Sequence, residues 1–198
     1  MAPMGTLRVA VITVAALNLG YGVVEMAVAL RIGSVSLFAD SIDFFEDGAV
    51  NILIAFALGW SSMSRARLGL ALAAILFLPA AATFWVAMQK FLDPVAPVAL
   101  SLGIAAAGAL AVNLVSAFLL VRHRRAGGSL AVAAWMSARN DAFANLAMIA
   151  AALVTARLWD SAWPDLLVGL GIFYMNLDAA QAILAASRTE ANEAIPQP

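Results

Sequence analysis

Cysteine is absent from the 198 residues and histidine occurs once. No disulfide framework, thiolate metal site or thiol nucleophile is available. The single His123 sits among Arg122, Arg124 and Arg125, outside the apolar segments, so a metal site within those segments must use oxygen ligands. Charge is scarce too. Asp, Glu, Lys and Arg make up 12% of the chain against 64% hydrophobic residues, and the mean hydropathy is +0.95. An ordinary soluble domain is about half apolar and about a quarter charged. One aqueous core of this size cannot hide so much apolar surface. A soluble enzyme, a nucleic-acid binder and a disordered chain are excluded. The net charge of −1 carries no information about partners; the placement of the few charges does.

What the chain has in abundance is long apolar runs. A helix crossing the hydrocarbon core needs roughly 20 apolar residues, and six stretches qualify, at about 8–30, 34–60, 67–92, 97–121, 129–157 and 164–187. The connectors between them are short and carry breaking residues. Ser34 is a candidate N-cap after Gly33, Asp93-Pro94-Val95-Ala96-Pro97 cannot continue a helix, and Pro164 suits a helix start. The expected architecture is an all-α membrane protein, a six-transmembrane-helix bundle over 1–187, followed by a short polar C-terminal tail over 188–198. The first run is read as a mature helix rather than a signal peptide. It has no small-x-small cleavage site, and it carries Asn18 and Glu25, which a signal core avoids.

Basic residues set the expected orientation. With the N-terminus inside, the cytoplasmic segments hold Arg8, Arg65, Arg67, Arg122, Arg124, Arg125 and Arg188, and the outer ones only Arg31, Lys90 and Arg157. That asymmetry places both termini in the cytoplasm, and Trp60, Trp159 and Trp163 fall near the interfaces, as an aromatic belt requires. His123 reads as part of a solvated basic anchor, with metal loading as the other reading.

Seven acids nevertheless fall inside the expected spans: Glu25, Asp40, Asp43, Glu46, Asp47, Asp141 and Asp178, together with one base, Arg139. Each costs about 2.5–3.5 kcal/mol at a helix centre on an insertion scale, so each must face the protein interior or a water-filled path. On the second helix, Asp40, Asp43 and Asp47 fall within an arc of about 60° at 100° per residue, with Asn51 on the same stripe and Glu46 to one side. Asp43 and Asp47, four apart, are neighbours on one face. Two carboxylates that close in hydrocarbon require a cation or protons between them. On the fifth helix Ser137, Asp141 and Asn145 share a face. Asn18 stands near the middle of the first helix, so three helices offer oxygen ligands at one depth, where transporters commonly place their sites. The bland readings are specific. Asp178 and the three asparagines could bond neighbouring helices. Glu25, near the end of its helix, could reach the interface, and Arg139 could neutralise an acid.

These residues resemble the transmembrane domain of the cation diffusion facilitators, a family of proton-coupled exporters of divalent metals. The likeness runs from Asn18 and Glu25 through Gly33-Ser34-Val35-Ser36-Leu37-Phe38-Ala39-Asp40 to the Asp43-x-x-x-Asp47 element. It resumes at Ala134-Trp135 and Asp141 and reaches Trp163-Pro164-Asp165. The resemblance implies a tetrahedral metal site with two ligands from the second helix, Asp43 and Asp47, and two from the fifth, Asp141 and the position of Ser137. Family members usually carry His or Asp where Ser137 stands, so a water or Asn140 would complete an all-oxygen shell. Asp40, Asn18, Asn51, Asn140 and Asn145 would surround and orient the ligands. Zinc is the first expectation from the resemblance, with cadmium next; an oxygen shell also suits manganese, iron(II) and magnesium. Most members carry a cytoplasmic metal-binding domain after the sixth helix, and this one is expected to lack it. A homodimer would then rest on helix contacts.

The implied function is proton-coupled efflux of a divalent cation by alternating access in the cell membrane. The partners are metal ions, protons and the lipid bilayer; no resident cofactor, no nucleic acid and no enzymatic activity are expected. Two other readings stand beside it. One is a non-transporting, metal-sensing or heteromeric partner, which the serine at 137 permits. The other is a Mg²⁺-dependent intramembrane prenyltransferase, suggested by Asp40-x-x-Asp43-x-x-x-Asp47. That chemistry needs about nine spans, a second Asp-rich motif and several bases for a diphosphate, which this chain does not offer.

Overall fold

The computed structural model describes residues 4–57, 81–121 and 128–193, apart from the side chains of 4–6, 54, 57, 128–137, 178–180 and 182–193. Among the described residues all regular structure is helical: α1 (Met4–Ile32), α2 (Val35–Ala57), α3 (81–92), α4 (Ala99–Val121), α5 (Gly128–Arg157) and α6 (Trp163–Glu193). Most of the expected third span lies outside the described residues, as do Trp60, the Ser61–Arg67 connector and the Arg122–Arg125 loop with His123.

The helix ends follow local chemistry. α1 stops at Gly33, whose φ of 63° is the left-handed conformation that glycine adopts without a Cβ penalty. Ser34 N donates back to Ala29 O at 3.1 Å, the six-to-one bond that closes a helix at a left-handed residue. Ser34 then caps α2, accepting from Leu37 N on its Oγ at 3.2 Å. The turn is so short that α1 and α2 must lie antiparallel, and they pack along their length. α4 begins at Ala99 rather than at 97. α6 runs on through Glu193, past the expected end at 187. Apolarity ends there but helix propensity does not, since Arg188-Thr189-Glu190-Ala191 contains no breaker.

α1 also packs on α4, α4 on α5, and α6 on both α2 and α5. Five helices supply the main core: Ala29, Leu37, Leu102, Met148 and Ile172. A second cluster, Leu7, Val11, Val14, Ala55 and Leu120, closes the end that holds the start of α1 and the ends of α2 and α4. α4 displays the logic of the bundle. Between Leu102 and Leu120, which join the two core clusters, its buried stripe is small or polar (Ala105, Ala106, Ala109, Asn113, Ser116), while Leu100, Ile104, Leu114 and Phe118 point outward. Large apolar residues outside and small ones between helices are the pattern of a helix that faces lipid. Leu7–Ile32 and Ala99–Val121 are long and apolar enough to cross a membrane. α2 is too acidic to read that way alone, with Asp40, Asp43, Glu46 and Asp47 in 23 residues.

Candidate functional site

The second helix is aimed by a buried knot at the α1–α2 turn. Asp165, in the first turn of α6 and fully buried, accepts four bonds from the start of α2. Its Oδ1 takes Ser34 Oγ at 2.6 Å, Ser36 Oγ at 2.5 Å and Ser36 N at 3.2 Å, and its Oδ2 takes Val35 N at 2.8 Å. A carboxylate there satisfies otherwise orphaned amides and meets the positive end of the helix dipole. Lys90 of α3 donates to Gly33 O at 2.6 Å. Gly169, one turn on from Asp165, lets α6 lie against the first turn of α2: a Cβ there would come within 2.8 Å of Ser36 N.

From that anchored end, α2 carries its acids inward. Asp40, Asp43 and Asp47 lie about 8, 12 and 18 Å along the helix from Val35 at 1.5 Å per residue. Asp40, Asp43 and Asp47 line one crevice with Phe44, Asn113 of α4 and Asp141 of α5. Asp43 and Asp141 come within hydrogen-bonding reach of each other, and Asp47 lies close enough to act electrostatically on both. Acids from two helices thus line one crevice. The crevice is narrow, without room for a water molecule, and Asp43 and Asp47 at its wall are half-buried. Among the described residues no three His, Cys, Asp or Glu side chains are already arranged around a common metal position. The acids are neighbours in a narrow cleft rather than a finished coordination shell.

The surrounding amides divide into those that serve the cleft and those that do not. Asn145 of α5, fully buried, donates to Asp40 Oδ2 at 2.7 Å and accepts from Asn113 Nδ2 at 3.0 Å. An amide relay therefore runs from α4 through α5 to α2. Asn18 is buried and accepts from Ser116 Oγ at 3.5 Å, tying α1 to α4. Asn51 does not orient a carboxylate: its Nδ2 donates to the backbone O of Asp47, one turn back, at 2.8 Å. Asn140 does not face the cleft as a substitute ligand; it is partly exposed and accepts from Arg139 Nη2 at 3.2 Å. Glu25 does not reach the interface, because its side chain is fully buried. Ser137 lies in α5 one turn before Asp141, and its side chain, like that of Asp178, lies outside the described residues.

The chain matches the Cation efflux transmembrane domain family over residues 11–190. It belongs to the cation efflux family. That membership makes it a membrane protein of a cation-transporting family rather than an enzyme family, and it spans both acid-bearing helices and the Asp165 knot. A comparison with curated proteins finds no match.

Within this cation efflux domain the sequence pattern passed over two residues of the cleft. Asn113, in a run of alanines and leucines, lines it and starts the amide relay. Asn176 of α6, with its amide nitrogen turned toward Asp43, is placed to donate to Asp43 Oδ1 at 3.2 Å. Both are polar residues in apolar runs, and the cost of burying an unpaired amide was the signal that marked them.

Proposed function

We propose that the protein exports a divalent metal cation in exchange for protons by alternating access, with Zn²⁺ as first substrate. The proposed topology is six spans with both termini in the cytoplasm of a multi-pass cell-membrane protein, working as a homodimer. One observation carries the reading: Asp43, Asp47 and Asp141 converge from two helices on one narrow cleft. Carboxylates crowded in a low dielectric hold protons or a cation, so the two compete for the same oxygens. Asp43, Asp47 and Asp141 are the proposed ligands, with Ser137 at the fourth position. Asn176 and Asn113 are placed to hold the cleft from α6 and α4.

In the inward-facing state the acids lose protons and take the metal. In the outward-facing state protons displace it. The cleft opens by separation of α2 from α5, whose mutual packing is much thinner than that of α1 on α2 or of α4 on α5. The test is Zn²⁺ uptake into proteoliposomes with an imposed pH gradient. Asp47→Ala is expected to abolish uptake to the level of empty vesicles, and parental transport by that variant would refute the site. Binding of Zn²⁺ without flux by the parent would support the sensing partner instead.

A further inference from the structure

Between the acid cleft and one end of the bundle lies a layer that the proposed coordination does not use. The cluster of Leu7, Val11, Val14, Ala55 and Leu120 closes the end that holds the start of α1 and the ends of α2 and α4. One turn further in, each of these helices changes from apolar to polar. Val14 is followed by Asn18 on α1, Ala55 is preceded by Asn51 on α2, and Leu120 is preceded by Ser116 on α4, each four residues along the same stripe. Asn18 and Ser116 are 0% exposed and Asn51 2%.

The packing puts these three at one depth. A Cβ on Gly48 would come within 2.7 Å of the Leu19 side chain and 3.5 Å of Ala15 O, so α2 at 48 lies beside α1 at 15–19. Asn51 is about 4.5 Å further along α2, which keeps it within about one turn of the level of Asn18. Ser116 Oγ reaches Asn18 Oδ1 at 3.5 Å. On its inner side the layer borders the cleft, since Asp47 and Asn113 line that cleft about one turn from Asn51 and Ser116.

The hydrogen bonding of the layer is incomplete. Asn18 uses its Oδ1, and Asn51 uses its Nδ2 on its own helix at Asp47 O. Asn18 Nδ2 and Asn51 Oδ1 are buried with no hydrogen-bond partner among the described residues. An amide that only joins two helices places its polar atoms on protein partners. Here a donor and an acceptor are left over, at a burial where each carries the full cost of desolvation. A leftover donor and acceptor are what water satisfies, or the hydration shell of an ion.

We infer that Asn18, Asn51 and Ser116 form a neutral hydration station, through which a divalent cation and its water pass between the acid cleft and the end of the bundle closed by the apolar cluster. This inference rests on the transport reading above, whose topology puts that end on the cytoplasmic side. The amide and hydroxyl oxygens face the cation, and the amide N–H groups hold the waters of its shell. These dipoles replace part of the hydration that the ion gives up on leaving bulk water. Carrying no charge, they bind it weakly enough to let it go on to the carboxylates, as conduction requires. The apolar cluster separates the station from that end in this structure, so entry requires the cluster to part.

The experiment uses the full chain. It has no cysteine, so a single introduced thiol reports hydration without background. In proteoliposomes, Ser116→Cys is expected to react with a positively charged methanethiosulfonate reagent added from the face that carries the N-terminus. Ala106→Cys, buried on the same stripe of α4 in the main core, is expected to stay unlabelled. An unlabelled Ser116→Cys overturns the inference. Passage is read at Asn51 with Zn²⁺ as the probe, because Thr and Val have the same shape and differ by a hydroxyl. Asn51→Val is expected to lower Zn²⁺ uptake about tenfold, the loss of one bond to a charged group, while equilibrium Zn²⁺ binding by the purified protein stays at the parental level. Asn51→Thr is expected to keep most of the uptake. If the Asn51 pair does not fold, Asn18→Val and Asn18→Thr take its place with the same expectations. Equal uptake by the Val and Thr variants overturns the inference. Loss of Zn²⁺ binding in parallel with uptake also overturns it, because the layer would then belong to the metal site. Absence of Zn²⁺ uptake by the parent refutes the transport reading and not the station, which the thiol labelling then decides alone.

Discussion

Asp165 and Glu25 are both carboxyl groups with no solvent exposure, and the bundle surrounds them in opposite ways. Asp165 accepts four bonds from the first residues of α2. Glu25 has no donor on either oxygen among the described residues and faces another acid. The first arrangement gives the anion everything that water would have given it, so charge there costs little and fixes geometry. The second leaves desolvation unanswered, and an anion there is tolerated only with a proton or a cation nearby. Burial of an acid therefore does not identify function; the count of donors around it does. The satisfied acid sits at the turn that aims α2, and Glu25 faces Asp40, which lines the cleft that α2 carries.

Substitutions can break this contrast. The largest loss is expected for Asp165→Ala, which strands the amides of Val35 and Ser36 and two hydroxyls. Buried donors left unpaired cost about 1–3 kcal/mol each, so thermal unfolding of the purified protein should register a loss of about 3 kcal/mol or more. A loss below about 1 kcal/mol would mean that water replaces the carboxylate and that the knot is not sealed. Asn145→Ala is expected to cost about 1–3 kcal/mol in the same measurement, because it removes the donor to Asp40 and leaves Asn113 without an acceptor. Glu25→Gln should leave the unfolding temperature unchanged or raise it slightly, since it replaces two facing acceptors by a donor and an acceptor. If it destabilises as Asp165→Ala does, the two acids are equivalent and the contrast fails. The smallest effect belongs to Asn140→Ala, a partly exposed residue bonded to an exposed arginine. It is expected to move stability by less than about 0.5 kcal/mol and to leave Zn²⁺ uptake at the parental level.

Much of the site was legible because charge in apolar helices is costly enough to be purposeful. Asp43, Asp47 and Asp141 stand out on that ground alone, and helical periodicity puts the first two on one face. Ser34 was legible as a cap for a similar reason: its type and its place after Gly33 match what a helix start requires. Asn51 and Asn140 were misjudged because periodicity gives a direction around the helix and not the rotamer. Asn51 turns back to its own helix, and Asn140 turns outward to Arg139. Glu25 was ambiguous for want of its neighbours. An acid seven residues before the end of α1 could snorkel to the interface, and only the packing of α2 across it closes that route.

Composition and periodicity determined that this chain is helical, that it belongs in lipid, and that its acids gather on two helices. Those features depend only on local spacing and on the cost of moving each side chain from water. The tertiary structure decided which acids are neutralised and by what. Asp165 is satisfied by residues some 130 positions away, Asp40 by an asparagine 105 positions away, and Glu25 by no donor among the described residues. Such pairings depend on which helix faces are pressed together, and in this bundle small residues rather than charges set that contact.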